Sequence, residues 1–142
     1  MIDVSADILI AASPAHIAGV MFDPNRYPEW MKAVASVEVL DAALAPGARV
    51  RHHGSFMGKE FTWTTTVETV HFPHVLVQQI ADGPFVGVTR IGIQRSGEGS
   101  RVQIHNTGEL KGLGFLPESM VAGPMKSALS ADLERLKAIV EA

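Results

Sequence analysis

Residues 8–30 read ILIAASPAHIAGVMFDPNRYPEW, and this stretch decides the fold. An apolar strand breaks at Ser13-Pro14, where serine is a good helix N-cap and proline suits the first helical position. The pattern predicts a helix over residues 15–22, which Asp23-Pro24 ends. Residues 27–31, YPEWM, then predict a second short helical turn. The chain is therefore expected to begin with one strand and two short helices.

Strand patterns dominate the chain on both sides of these helices. Residues 2–10 alternate apolar and polar side chains with a period of two, as a half-buried strand does. After the helices, turn signals such as Pro46-Gly47 and Phe72-Pro73 separate further strand-like segments. These predicted strands are 36–41, 48–56, 60–71, 75–81, 85–94 and 101–110. Connections this short predict antiparallel neighbours.

The last part of the chain has the pattern of one long amphipathic helix. From Met125 onward, apolar residues recur at spacings of three and four, and charged residues fall mostly on other faces. We expect Pro117 to open this helix. Gly123-Pro124 should bend it, because an interior proline removes a hydrogen bond and clashes with the preceding turn, at a cost of about 3 kcal/mol. The chain therefore ends in a helix that follows a run of strands.

The composition excludes several classes of protein. The 142 residues suffice for one domain, 1–142, and the absence of cysteine excludes disulfides, thiolate chemistry and cysteine zinc sites. No apolar run approaches the ~18 residues of a membrane span, so stable membrane insertion is not expected. The net charge of -3 disfavours nucleic acid as a partner. Asp3 and Asp7 leave no basic signal-peptide region, so we expect a cytoplasmic protein.

The order of these capping and turn devices is similar to that of a known superfamily. The similarity rests on four motifs, which are Ser13-Pro14-Ala15, Asp23-Pro24, Tyr27-Pro28-Glu29-Trp30 and Pro46-Gly47. Together they resemble the START-like SRPBCC superfamily, and within it the polyketide cyclase/dehydrase and lipid-transport branch. The resemblance implies an α+β helix-grip fold, in which a twisted antiparallel sheet of about seven strands wraps around a long C-terminal helix, with two short helices after the first strand. It also implies a deep cavity between sheet and helix.

Strand parity predicts which side chains face that cavity. Adjacent strand residues point to opposite faces, and the sets that carry charged residues should face solvent. Two aromatic residues after the first helix are expected near the cavity mouth or as core anchors, and methionines can shape an adaptable wall. The candidate ligand-binding residues are Tyr27, Trp30, Phe56, Trp63, Thr65, Thr89, Ile104, Met120 and Met125. Gln79 and Ser119 are further polar candidates, although such polar residues could instead satisfy one another in a filled core.

Two polar residues are the candidates for catalysis. His52 and Asn106 have inward parity, and an imidazole with an ordinary pKa of about 6.5 could abstract a proton beside a carbonyl. A histidine packed in the core is the alternative. The strand carboxylates have outward parity, which leaves no inward pair for acid and base catalysis. They are Glu60, Glu68 and Glu109.

Neither a metal nor a cofactor is expected. His52 and His53 are adjacent on a strand and so point to opposite faces, and no helical segment has the spacing of a histidine metal site. The sequence also lacks a phosphate-binding glycine loop, a dinucleotide fingerprint and a Gly-x-Ser-x-Gly elbow.

Three functions remain as hypotheses. The leading one is binding or carriage of a hydrophobic small molecule, such as a lipid, an isoprenoid or an aromatic polyketide, in the implied cavity. The alternative is an enzyme of the polyketide cyclase/dehydrase type that transfers protons in the same cavity, and the third is a protein-interaction module. The sequence leaves the identity of the ligand and the formation of a homodimer open. Cavity volume separates these hypotheses, because a void below a few hundred Å³ hardly encloses a lipid.

Overall fold

A computed structural model describes residues 1–111 and 116–142 of the chain. These residues form a seven-stranded sheet and three α-helices, which confirms the predicted α+β class. The strands are β1 Ile2–Ile10, β2 Val34–Val39, β3 Arg49–Phe56, β4 Lys59–His71, β5 Val75–Ile80, β6 Phe85–Ser96 and β7 Gly99–Leu110. The helices are α1 Pro14–Met21, α2 Tyr27–Trp30 and α3 Glu118–Glu141, with a 3-10 turn at Pro24–Arg26 between α1 and α2.

The sheet pairs the first strand of the chain with the last strand. Its strand order is β1-β7-β6-β5-β4-β3-β2, and every neighbouring pair is antiparallel. β1 and β2 therefore lie at opposite edges of the sheet. They are nevertheless consecutive strands, and the segment between them contains the short helices α1 and α2. α3 packs mainly on β1 and also contacts α1 and α2. The core accordingly lies between the sheet and these helices.

Local capping forms the first helix where its sequence predicts it. The Ser13 hydroxyl accepts a hydrogen bond from the backbone N–H of His16 at 3.2 Å, and Pro14 occupies the first helical position. The helix ends at Met21, and Phe22 is its C-cap. The Ser-Pro motif therefore fixes the point at which the chain leaves β1.

The sheet confirms the predicted strands, with shifted ends. β2 spans Val34–Val39, so it begins and ends two residues earlier than predicted. It ends early because Asp41 folds back onto β3, where its carboxylate accepts a hydrogen bond from Arg49 Nε at 2.9 Å. β6 and β7 are longer than predicted, because Ser96 and Gly99 still pair beside the tight turn that joins these strands.

A buried carboxylate ties α3 to the end of α2. Asp132 accepts a hydrogen bond from the backbone N–H of Lys32 at 3.2 Å and pairs with Arg135. The Arg135 Nε–H in turn donates to the backbone oxygen of Trp30 at 3.1 Å. Burial raises the pKa of Asp132, while the Lys32 N–H and the Arg135 charge oppose this shift. These contacts, here called the interhelix clamp, hold α2 against α3.

α3 continues through Pro124 as a helix of 24 residues, with Pro117 at its N-cap. The bend expected at Gly123-Pro124 stays a prediction. The apolar residues of its buried face recur at spacings of three and four. They are Val121, Met125, Leu129, Leu133, Leu136 and Val140. Within the described residues, no helix is both long and apolar enough to cross a lipid bilayer.

Two facing glycines allow β6 and β7 to approach each other closely. Gly87 lies opposite Gly108 in the register of this strand pair. A Cβ atom on Gly87 would lie 2.0 Å from the backbone oxygen of Thr107, and one on Gly108 would lie 2.2 Å from that of Val86. Because the obstacles are backbone atoms of the ladder itself, neither position has room for a side chain.

We predict that Gly87→Ala lowers the free energy of unfolding by about 2 kcal/mol or more, because the methyl group must displace backbone. The matched control is Gly92→Ala in the same strand, where a Cβ would meet no atom within 4 Å. That control should change stability by less than about 1 kcal/mol. Urea denaturation of the three proteins measures the difference, and equal stabilities of both variants would contradict the close approach.

Candidate functional site

A cavity of about 170 Å³ lies between α2, α3 and the inner face of the sheet. Strands β3 to β7 each contribute side chains to its wall. The residues predicted from sequence that lie on this wall are Tyr27, Trp30, His52, Phe56, Trp63, Thr65, Thr89, Ile104, Asn106 and Met125. Strand parity thus brings together residues that are far apart in sequence, because one inner face is shared by all the strands.

Met120 does not lie on the cavity wall where it is expected, and its role in ligand binding stays a prediction. Its side chain is 59% exposed in the first turn of α3. Val121 and Met125, one helical turn apart, are the residues of this region that face the core. Met120 is about 100° away from that direction, since each helical residue turns by this angle. Ser119 is likewise exposed.

Gln78, which was not predicted, is the polar residue of β5 on the cavity wall. Its neighbour Gln79 was expected to face inward but lies outside, where its Nε2 donates to Glu68 Oε1 at 3.0 Å. The parity of β5 is set by Leu76, which is fully buried. Counting in steps of two from Leu76 would have placed Gln78 and Ile80 inward.

Three rings stack along one side of the cavity. The imidazole of His52 lies between Tyr27, at 5.6 Å between ring centroids and 9° between planes, and Trp63, at 5.3 Å and 4°. Trp30 meets the Tyr27 ring edge-on at 6.2 Å. Both faces of the imidazole are therefore covered by aromatic surface, and His52 is only 2% exposed.

Burial keeps the two titratable groups of this stack uncharged. It lowers the pKa of His52 to about 4, against the weaker opposing effect of the backbone groups of Trp63 and Val50. It raises the pKa of Tyr27 to about 12, although Gln78 Nε2 donates to the Tyr27 hydroxyl at 3.2 Å. Among the described residues on the wall, none is Asp, Glu, Lys or Arg. The cavity is thus electrically neutral at pH 7.

Several polar atoms nevertheless lie beside this apolar space. Thr89 Oγ1 donates to Asn106 Oδ1 at 2.6 Å. In the described part of the chain, three buried side-chain atoms have no hydrogen-bond partner, and all three belong to residues of the wall. They are Trp30 Nε1, His52 Nδ1 and Thr65 Oγ1. Because buried polar atoms in folded proteins are nearly always hydrogen-bonded to protein or to ordered water, these three are available to a partner that the described residues do not supply.

His52 is poorly suited to act as a general base at neutral pH. A base with a pKa of about 4 accepts a proton only weakly at neutral pH, which weakens the assignment of His52 as a general base. Glu60, Glu68 and Glu109 are all exposed, as their outward parity predicts. Over residues 1–111 and 116–142, no group of three or more His, Asp or Glu side chains could hold a metal ion.

Comparisons with known proteins agree with this architecture. The family model described as polyketide cyclase / dehydrase and lipid transport matches residues 1–141. The crystal structure of TTHA0849 from Thermus thermophilus superposes with a TM-score of 0.83 at 25% identity, covering 97% of this chain and 96% of that one. A START superfamily protein from Mycobacterium smegmatis gives 0.84 at 21% identity, covering 98% and 97%. Among curated proteins, none matches the sequence significantly.

We predict that the stability of the protein depends on keeping His52 neutral. Unfolding restores an ordinary pKa of about 6.5, whereas the folded value is about 4, so the unfolded chain binds more protons between these values. The stabilising contribution is complete above pH 6.5 and is lost as the pH falls towards 4, amounting to about 3 kcal/mol.

The measurement is urea denaturation at pH 7.5 and 4.5 of the wild type and of His52→Phe, which keeps a ring between Tyr27 and Trp63. The variant should lose less stability on acidification, by about 2 to 3 kcal/mol. His71→Phe, at an exposed position of β4, serves as the control and should follow the wild type. Identical pH dependence of His52→Phe and the wild type would contradict the role of His52.

Proposed function

We propose, since the chain belongs to the polyketide cyclase / dehydrase and lipid transport family, that its cavity binds a compact and largely apolar small molecule. The START-like fold of the chain fits a ligand-binding domain. The observation that carries the proposal is an uncharged cavity, walled by aromatic and aliphatic side chains, beside which buried polar atoms lack partners. This is the common composition of small-molecule sites.

The volume supports a ligand of about one ring. An apolar cavity of roughly 150 Å³ accommodates benzene, whereas sites for drug-sized ligands span roughly 300 Å³ or more. The cavity of this protein, at about 170 Å³, is close to the first value. A lipid chain would need a considerable expansion of the wall, so we favour a compact aromatic or isoprenoid molecule over a lipid.

The stacked aromatic wall supports a planar ligand. Trp63 and Tyr27 both line the cavity, and aromatic rings attract one another in offset or edge-to-face arrangements. The described residues of the wall include no charged group that could neutralise an ionised ligand, and burial of an unpaired charge is costly. We therefore propose a neutral ligand.

The residues of the cavity wall are better suited to carrying a ligand than to catalysis by proton transfer. A cyclase or dehydrase requires a group that exchanges protons near neutral pH, and the low pKa of His52 makes it a poor candidate. The carboxylate of Asp132 is engaged in the interhelix clamp and does not line the cavity. Turnover of a model polyketide by the wild type, lost in His52→Ala, would favour the enzyme instead.

Ligand size provides the test. We expect toluene and naphthalene to raise the thermal midpoint, since they fit or nearly fit the cavity, and methyl palmitate, which is neutral but much longer, to leave it unchanged. Native mass spectrometry of gently purified protein should detect any co-purifying molecule. Tight binding of methyl palmitate alone would replace the compact ligand by a lipid, and no response to any of the three probes would contradict the binding function.

We further predict that Ile104→Phe weakens binding of toluene at least tenfold, because the larger side chain fills space on the cavity wall. The matched control is Gln103→Phe, which adds the same ring at the neighbouring exposed position of β7. Isothermal titration calorimetry measures both affinities. Equal affinities in the two variants would place the binding site elsewhere.

A further inference from the structure

We propose that Thr89 is a positioning residue that directs the amide N–H groups of Asn106 into the cavity, so that the ligand presents a neutral carbonyl oxygen to them. This inference rests on the proposed function, because it names the chemical class of the molecule bound there. It assigns distinct roles to two residues that the wall brings together from different strands, β6 and β7.

A row of polar side chains crosses the floor of the cavity. Gln78 of β5 lies opposite Thr89 of β6, and Thr89 lies opposite Asn106 of β7. All three residues line the cavity. The flanking residues of the inner face, Ile91 and Ile104, are aliphatic. The row is therefore a polar band that lies beside aliphatic residues of the inner face.

Within this row, the hydrogen bond between Thr89 and Asn106 determines what the amide offers a ligand. Thr89 Oγ1 donates to Asn106 Oδ1 at 2.6 Å, so the amide oxygen is engaged. The nitrogen Nδ2, which carries two N–H donors, makes no hydrogen bond to another described residue. Asn106 lines the cavity and is only half-buried. The amide consequently offers donors, and not an acceptor, to a bound molecule.

Among the described residues of the cavity wall, none accepts a hydrogen bond from these donors. Gln78 is turned towards α2, since its Nε2 donates to the Tyr27 hydroxyl at 3.2 Å. A site that presents a free donor to a bound molecule favours ligands that accept a hydrogen bond over ligands of the same shape that cannot. The absence of Lys and Arg from the described wall disfavours a carboxylate, which would be buried without a counter-charge. A ketone, aldehyde, ester or amide oxygen meets both conditions.

Two one-ring probes of equal shape test the inference. Acetophenone carries a carbonyl oxygen, and α-methylstyrene replaces that oxygen by a methylene group that accepts no hydrogen bond. We expect acetophenone to bind the wild type roughly tenfold more tightly, as one hydrogen bond to an otherwise unpaired donor supplies. Titrations followed by NMR should also move the side-chain amide signal of Asn106 with acetophenone and not with α-methylstyrene. Loss of that signal in Asn106→Leu assigns it.

Variants distinguish the role of Thr89, which positions the amide, from that of Asn106, which contacts the ligand. Asn106→Leu removes the donor, and Thr89→Val removes the hydroxyl that engages Oδ1 while keeping its shape. Both should reduce the preference for acetophenone to about twofold or less. Thr89→Ser, which retains the hydroxyl, should restore the preference. Thr107→Val changes a hydroxyl beside Asn106 that accepts from Arg90 outside the cavity, and it should keep the wild-type preference.

The outcomes distinguish this inference from the function on which it rests. Equal affinity of the wild type for both probes, or a preference that survives in Thr89→Val, would overturn the role of Thr89 while leaving the binding function intact. Failure of both probes to bind would overturn the binding function itself. A shifted Asn106 amide signal together with a preference lost in Thr89→Val and regained in Thr89→Ser would support the inference.

Discussion

The packing of α3 along β1 determines how the rest of the molecule is arranged. One helix is about 10 Å across, and seven strands at about 4.8 Å spacing form a much wider surface. The inner faces of β3 to β6 must therefore be covered by other groups. α2 supplies Tyr27 and Trp30 for this purpose, and the cavity is the space that these side chains and Met125 leave between them. The candidate site is thus a consequence of incomplete coverage of the sheet.

Burial has made this space neutral as well as apolar. The imidazole of His52 is sandwiched between two aromatic rings, which removes water from both of its faces and disfavours its cation. The charged residues of β3 and β7 instead lie on the outer face, where Arg101 pairs with Asp7 and Arg51 with Glu38. The sheet therefore separates an ionic exterior from an interior suited to uncharged molecules.

Much of the fold and of the cavity wall could be predicted, because it depends on interactions between residues close together in sequence. The Ser13-Pro14 cap and the alternation of β3 and β7 depend on residues close together in sequence, so α1, His52 and Asn106 were placed correctly from the sequence. Met120 was misplaced because its direction depends on how α3 is rotated against the sheet. Gln79 lies outside because the fully buried Leu76 sets the parity of β5, and the mixed apolar and polar pattern of this strand does not reveal that parity.

The cavity volume could not be predicted from sequence at all. Many side chains from distant segments enclose it, and a change of one rotamer among them would alter it by a sizeable fraction. The close pairing of Gly87 with Gly108 was equally inaccessible, because it depends on where two strands approach most closely. Periodicity indicates which face a residue occupies, and it does not report the distance to the opposite wall.

The interhelix clamp couples the positions of α2 and α3. Lys32, Asp132, Arg135 and the Trp30 carbonyl join the two helices, so a movement that separates them must break several hydrogen bonds around a half-buried ion pair. A movement of α2 and α3 together must instead detach α3 from β1. The two helices therefore behave as one packing unit on the inner side of the sheet.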